Sequence, residues 1–250
     1  MDFQEMNQQF NQRFNQSVNT IGDRNRELEA SVAMPILMRK VYLWMCLALG
    51  ITAITAYGVA SSPAIAEIIF GNPIMYLVLI LAELGLVFYI SARLEKISLT
   101  TGTLLFAIYS AVNGLTLAVI LFAYSPTIIA KAFVVTAGTF GAMAFVGYTT
   151  KLDLSKMGSI LFMALIGIII ASVVNIFVKS DMFDLIICYV GVLIFVGLTA
   201  WDVQKIKTML MMSSDTGEHG QKIALMGALS LYLDFINLFL YLLRIFGKRE

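Results

Sequence analysis

The chain has 250 residues, of which 59% are hydrophobic and 13% charged, against about 45–50% and about 25% in ordinary soluble domains. A water-soluble core cannot absorb that excess, so the composition points to a protein immersed in lipid. A net charge of +1 leaves neither a basic surface for a nucleic-acid backbone nor an acidic one for cationic substrates.

Residues 1–35 form a polar, Gln/Asn-rich stretch of mixed charge without the apolar core of a signal peptide. It reads as a cytosolic, disordered tail, and residues 36–250 as a single membrane domain. Seven apolar stretches follow: Val41–Val59, Pro73–Ser91, Leu104–Ala123, Phe133–Tyr148, Ile160–Val178, Leu185–Trp201 and Ile223–Phe246. Each approaches the roughly 20 residues that cross a hydrocarbon core about 30 Å thick. The fourth is short and rich in glycine, so it either begins nearer Ile128 or packs through a small face. The expected fold is therefore all-α and polytopic. Cys46 and Cys188 both lie in apolar stretches and no CxxC occurs, which excludes a disulfide framework and a thiolate metal site.

Lys and Arg fix the expected orientation, because positively charged loops stay cytoplasmic. With the N-terminus inside, Arg39, Lys40, Arg93, Lys96, Lys151, Lys156, Lys205, Lys207 and Lys222 all fall inside, and only Lys131 and Lys179 outside. Arg244, Lys248 and Arg249 follow the last span and break the rule if that helix crosses fully. From this pattern alone the last helix either crosses against its charges or dips in and returns.

The chemistry concentrates late in the chain. Ser230, Asp234, Asn237, Tyr241 and Arg244 recur at spacings of four, three, four and three, which aligns them on one helix face. Lipid satisfies no polar group, so that face must meet protein or water, and an acid at the depth of Asp234 marks an ion or proton path. Asp202 ends the sixth apolar stretch and by depth alone resembles an interfacial charge. Glu83 lies in the middle of the second span with no base within a helical turn, so it needs a partner on another helix or a proton. Asn113 and Asn175 are expected to make interhelical hydrogen bonds. Ser213–Gly220 lacks the alternating acids of an EF-hand and reads as a solvated loop.

The run Ala228-Leu229-Ser230-Leu231-Tyr232-Leu233-Asp234-Phe235-Ile236-Asn237-Leu238-Phe239, followed by Leu242-Leu243-Arg244 and preceded by Trp201-Asp202-Val203-Gln204-Lys205-Ile206, resembles the signature of the Bax inhibitor family in its bacterial branch. The resemblance implies six helices around a central seventh and a pH-sensitive calcium leak channel. It also implies a di-aspartyl pH sensor at Asp202 and Asp234, a latch at Arg93 with Lys96 as the fallback, and Glu83 as a pore residue. Asn237 and Ser230 line the expected ion path, and Glu83, Asp202 and Asp234 supply the oxygen ligands a calcium ion prefers. No cofactor is expected; calcium is the permeant ion, and the partners are the lipid bilayer, calcium ions and protons. The absence of a targeting segment, with the resemblance, favours the bacterial cytoplasmic (inner) membrane.

Physics makes such a switch reasonable, since two adjoining carboxylates cannot both ionise cheaply and titrate as a pair. Rival readings fare worse. An aspartyl protease would need a Gly-x-Gly-Asp run, whereas Trp201 and Phe235 flank these acids, and the single His219 excludes a Ser-His-Asp site in the membrane. No inverted repeat suggests a transporter. The main alternative is a regulatory membrane protein that modulates a membrane protease or a cell-death partner without conducting ions.

Overall fold

The computed structural model describes residues 3–213 and 216–248, with side chains placed from Leu28 onward. Helices follow one another without strands among the described residues: α1 (Phe3–Ala60), α2 (Pro63–Phe70), α3 (Pro73–Arg93), α4 (Leu99–Leu117), α5 (Val119–Ala123), α6 (Pro126–Thr149), α7 (Ser155–Val178), α8 (Asp181–Ser213) and α9 (Glu218–Gly247). Seven segments are long and apolar enough to cross a bilayer, α4 and α5 together making the third. Most of the expected tail, residues 1–27, lies outside the described side chains. Its last residues belong to α1, where Ala30 and Ala33 are already buried.

Local chemistry explains the punctuation. Pro63, Pro73 and Pro126 open α2, α3 and α6, positions where the missing N–H costs nothing. Asn72, Ser98 and Ser125 accept hydrogen bonds from the first-turn N–H groups of α3, α4 and α6. The fourth span thus begins at Pro126, before the Gly-rich stretch that made it look short. The seven apolar stretches missed α2, which is too short to cross.

The last helix is the most enclosed. In its most apolar stretch 61% of residues are buried inside the protein, against 6% in α3 and in α7. It packs chiefly against α8, α1, α6 and α4, while α3 lies on α4 and α7 on α8. The outer pair turns its Leu, Ile, Val and Phe side chains outward, as lipid contact requires.

Helix α9 also runs unbroken to Gly247. At its far end Arg244 ion-pairs with Asp184, and Lys248 lies 2.6 Å from the same carboxylate, so α9 reaches the beginning of α8. It traverses the bundle rather than turning back. The two acids in the first turn of α8, Asp181 and Asp184, neutralise the basic end of α9, which explains how the helix crosses despite its charges. The Asp184 carboxylate in turn holds the Lys248 ammonium above the usual lysine range.

Glycines set the close crossings. A methyl group on Gly147 of α6 would drive into the Ala200 backbone of α8, whereas one on Gly138 of the same helix would meet nothing. Gly147→Ala should therefore destabilise the protein by about 1–3 kcal/mol, the usual range for overpacking. Gly138→Ala should leave the thermal midpoint in detergent unchanged or slightly raised, and a scan of both variants beside the parent checks this.

Candidate functional site

Asp234 is 5% exposed, and its Oδ2 has no N–H or hydroxyl partner among the described residues. Its acidic neighbour is Asp202 of α8, whose carboxyl group lies close enough for each to feel the other's field. A hydrogen bond between two carboxyl groups exists only when one of them holds a proton and donates it. Sequence depth alone placed Asp202 at the membrane edge, because the apolar run ends at Trp201. The helix instead continues to Ser213, which brings Asp202 level with Asp234.

The residues around Asp202 fasten its turn of α8 to the neighbouring helices. Trp201 packs over Gly158 of α7, where any side chain would collide with its ring. The Lys205 ammonium lies 4.8 Å above the Trp201 ring and is the cation whose field reaches Asp202. Gln204 donates to the Leu152 carbonyl at 2.7 Å and accepts from the Leu154 N–H at 2.8 Å, tying α8 to the loop before α7. Lys207 donates to the Tyr148 carbonyl at 2.8 Å, capping the end of α6. In sequence Lys207 counted only as a cytoplasmic charge; its partner and those of Gln204 are backbone groups that no spacing rule reveals.

The polar face of α9 divides its work. Asn237 donates to the Leu233 carbonyl of its own helix at 2.8 Å. Tyr241 lays its ring against Gly191 of α8 and bonds Ser172 of α7. Arg244 belongs to the ion-pair cluster with Asp184. Ser230 is half-buried, one turn before Asp234.

Glu83 stands apart from the two aspartates. Its carboxylate accepts a hydrogen bond from the Thr116 hydroxyl of α4, and that carboxylate faces Tyr76, Tyr109 and Tyr232. Behind Thr116 runs a chain of polar groups. The Tyr232 hydroxyl donates to Asn113 Oδ1 at 3.0 Å and lies 2.7 Å from the Thr52 hydroxyl, which in turn donates to the Ser110 carbonyl at 2.9 Å. Asn113 thus makes the interhelical bond expected of it. Asn175 does not: it accepts from the Ser180 N–H at 3.2 Å and shapes the turn in which Lys179 adopts φ 52°. Tyr232, two residues from Asp234, is the functional-site residue that sequence reasoning missed, because an aromatic in a Leu/Phe-rich helix gives no sign of its hydroxyl's partners.

Arg93 and Lys96 are exposed at the end of α3, and Arg93 forms no ion pair among the described residues. The expected loop at Ser213–Gly220 is shorter than expected, since Glu218, His219 and Gly220 already belong to α9, where Glu218 pairs with Lys222 at 3.0 Å. No group of three or more metal-ligating side chains occurs among the described residues.

Removing the Tyr232 hydroxyl leaves Asn113 and Thr52 short of a partner. Tyr232→Phe should cost about 1–3 kcal/mol, the range for a buried polar group left unpaired, read as a lower thermal midpoint than the parent in the same detergent.

The family model described as "Inhibitor of apoptosis-promoting Bax1" matches residues 34–250. The chain is 51% identical over 215 residues to the inner membrane protein YbhL of Escherichia coli strain K12, covering 85% of this chain and 92% of that one. It is 46% identical to an uncharacterized protein of Borreliella burgdorferi, with 91% of this chain and 98% of that one covered. It is 42% identical to the uncharacterized protein RP147 of Rickettsia prowazekii, covering 85% and 89%.

Proposed function

Because the chain belongs to this Bax inhibitor family, we propose that it is a pH-sensitive calcium leak of the bacterial inner membrane, gated by Asp202 and Asp234. The inner membrane is where the name of the Escherichia coli relative puts that protein. The observation that carries the reading is the Asp202–Asp234 contact, held in the most enclosed helix and the one beside it.

The gate works through one proton. When the two carboxyls share it, they carry a single negative charge and hold α8 against α9 through a charge-assisted hydrogen bond. When the proton leaves, two negative charges face one another in a medium of low dielectric, and a nearby cation is drawn in to offset them. Lys205 is already within reach, and Arg93, at the cytoplasmic end of α3 in this orientation, is the latch that moves to them. Acidification returns the proton, releases the latch and frees α3 to shift. Leak then rises as pH falls.

Calcium follows from the oxygen chemistry along this path. Hard cations prefer carboxylate and carbonyl oxygens, and a permeation route needs sites that bind loosely enough to release the ion. Glu83 with the Thr116 hydroxyl, the aspartates, and the Asn237 and Ser230 side chains supply such oxygens on or beside α9. This is a reading of a conductor with no catalytic step and no resident cofactor. The N-terminus lies in the cytosol, the side on which most of the Lys and Arg residues then fall.

Calcium flux into liposomes, measured from acidic to mildly alkaline pH, tests it. The parent should leak more at the acidic end, and Asp234→Asn, which carries no titratable group, should flatten that dependence. A parent that passes no calcium at any pH overturns the reading and leaves a non-conducting regulatory role in the membrane as the better account.

A further inference from the structure

Helices α1 and α6 both pack on α8 and α9 but not extensively on each other, so a cleft opens between them to the outside of the bundle. It measures about 680 Å³, and Phe235 of α9 forms its floor. It stays open because the α6 side presents Ala137, Gly141 and Ala144, and a methyl group on Gly141 would touch nothing. No neighbouring side chain fills the space.

The cleft is polar at one end only. Arg39 lines its mouth with Tyr42 and Tyr148, and the Lys207 ammonium sits 5.0 Å above the Tyr148 ring. Arg39 forms no ion pair among the described residues, and no carboxylate lines the cleft. From Arg39 to Leu49 along α1 the lining is otherwise apolar. Those ten residues rise about 15 Å at about 1.5 Å each, half of a hydrocarbon core about 30 Å thick. Aromatic and basic residues at one level, apolar walls for the depth of one leaflet beyond it, and an arginine without an acid match the outline of one lipid molecule.

We propose that this cleft is a binding site for a single anionic phospholipid, its phosphate against Arg39 and one acyl chain along α1 and α6 down to Phe235. Arg39 supplies a forked donor that suits phosphate oxygens. The glycine and alanines of α6 leave room for the chain. The site takes its lipid from the leaflet at the Arg39 end of the bundle.

The test is native mass spectrometry of the full-length protein, released from detergent with equal amounts of phosphatidylglycerol and phosphatidylcholine of the same chains. The parent should retain one phosphatidylglycerol in preference to phosphatidylcholine. Gly141→Leu, which fills the cleft without meeting any packed atom at its Cβ, should lose that retained lipid while keeping the parent's thermal midpoint. Arg39→Gln should keep a lipid but lose the preference between headgroups. Equal retention of the two lipids by the parent, or phosphatidylglycerol retention by Gly141→Leu equal to the parent's, overturns the proposal. So does a parent dimer that retains no lipid and falls apart in Gly141→Leu, which would make the cleft a seat for a second copy.

Discussion

Asp234 sits 5% exposed in the most enclosed helix of the bundle, and its Oδ2 meets no N–H or hydroxyl donor among the described residues. An ionised carboxylate there would cost several kcal/mol of desolvation, and lipid offers nothing to offset it. The neighbouring helix brings Asp202 beside it, and in the proposed leak the two acids share a proton. Much of the packing serves that approach. Gly191 and Gly227 let α8 and α9 close on one another, with Tyr241 and Ile206 filling the space a side chain would take. Gly147 and Gly158 admit the Ala200 backbone and the Trp201 ring, so the turn of α8 that carries Asp202 is gripped from α6 and α7.

The two ends of the α8–α9 pair are built differently. At the far end, Asp181 and Asp184 with Arg244 and Lys248 make a charge cluster close to neutral, which fixes the helix ends. At the near end, Lys207 and Gln204 tie α8 to backbone groups of the α6–α7 connection, and Lys222 reaches the Glu95 carbonyl beside α4. Motion of α9 is thus constrained at both ends while its middle carries the acid. Tyr232 links that middle to α1 and α4 through Thr52 and Asn113, and onward through Thr116 to Glu83. In the proposed leak, this network ties the turn of α9 before Asp234 to Glu83, so a shift of α9 there is felt at that acid.

What the sequence revealed follows from what hydropathy measures. The number of spans and their apolar centres were legible because an apolar run in a chain so poor in charge has few other meanings. The family was legible from one long motif, and the family match over residues 34–250 agrees. Helix ends were less so. α8 outruns its apolar stretch because its last turns are paid for by backbone bonds from Gln204 and Lys207 and by packing on α9, none of which hydropathy registers. The crossing of α9 against its charges became clear only with Asp184 beside Arg244. Glu83 was visible as an intramembrane acid, but its partner is a threonine on another helix, and a threonine in a membrane span ordinarily bonds its own backbone.

The central claim is that Asp202 and Asp234 hold one proton between them, and infrared spectroscopy of the aspartyl carboxyl band in lipid tests it most directly, as a function of pH for the parent and each single Asp→Asn variant. The account predicts that the two groups titrate as one unit, so that removing either moves the titration of the other. Two bands that titrate independently, each unmoved when its neighbour is replaced, would contradict it.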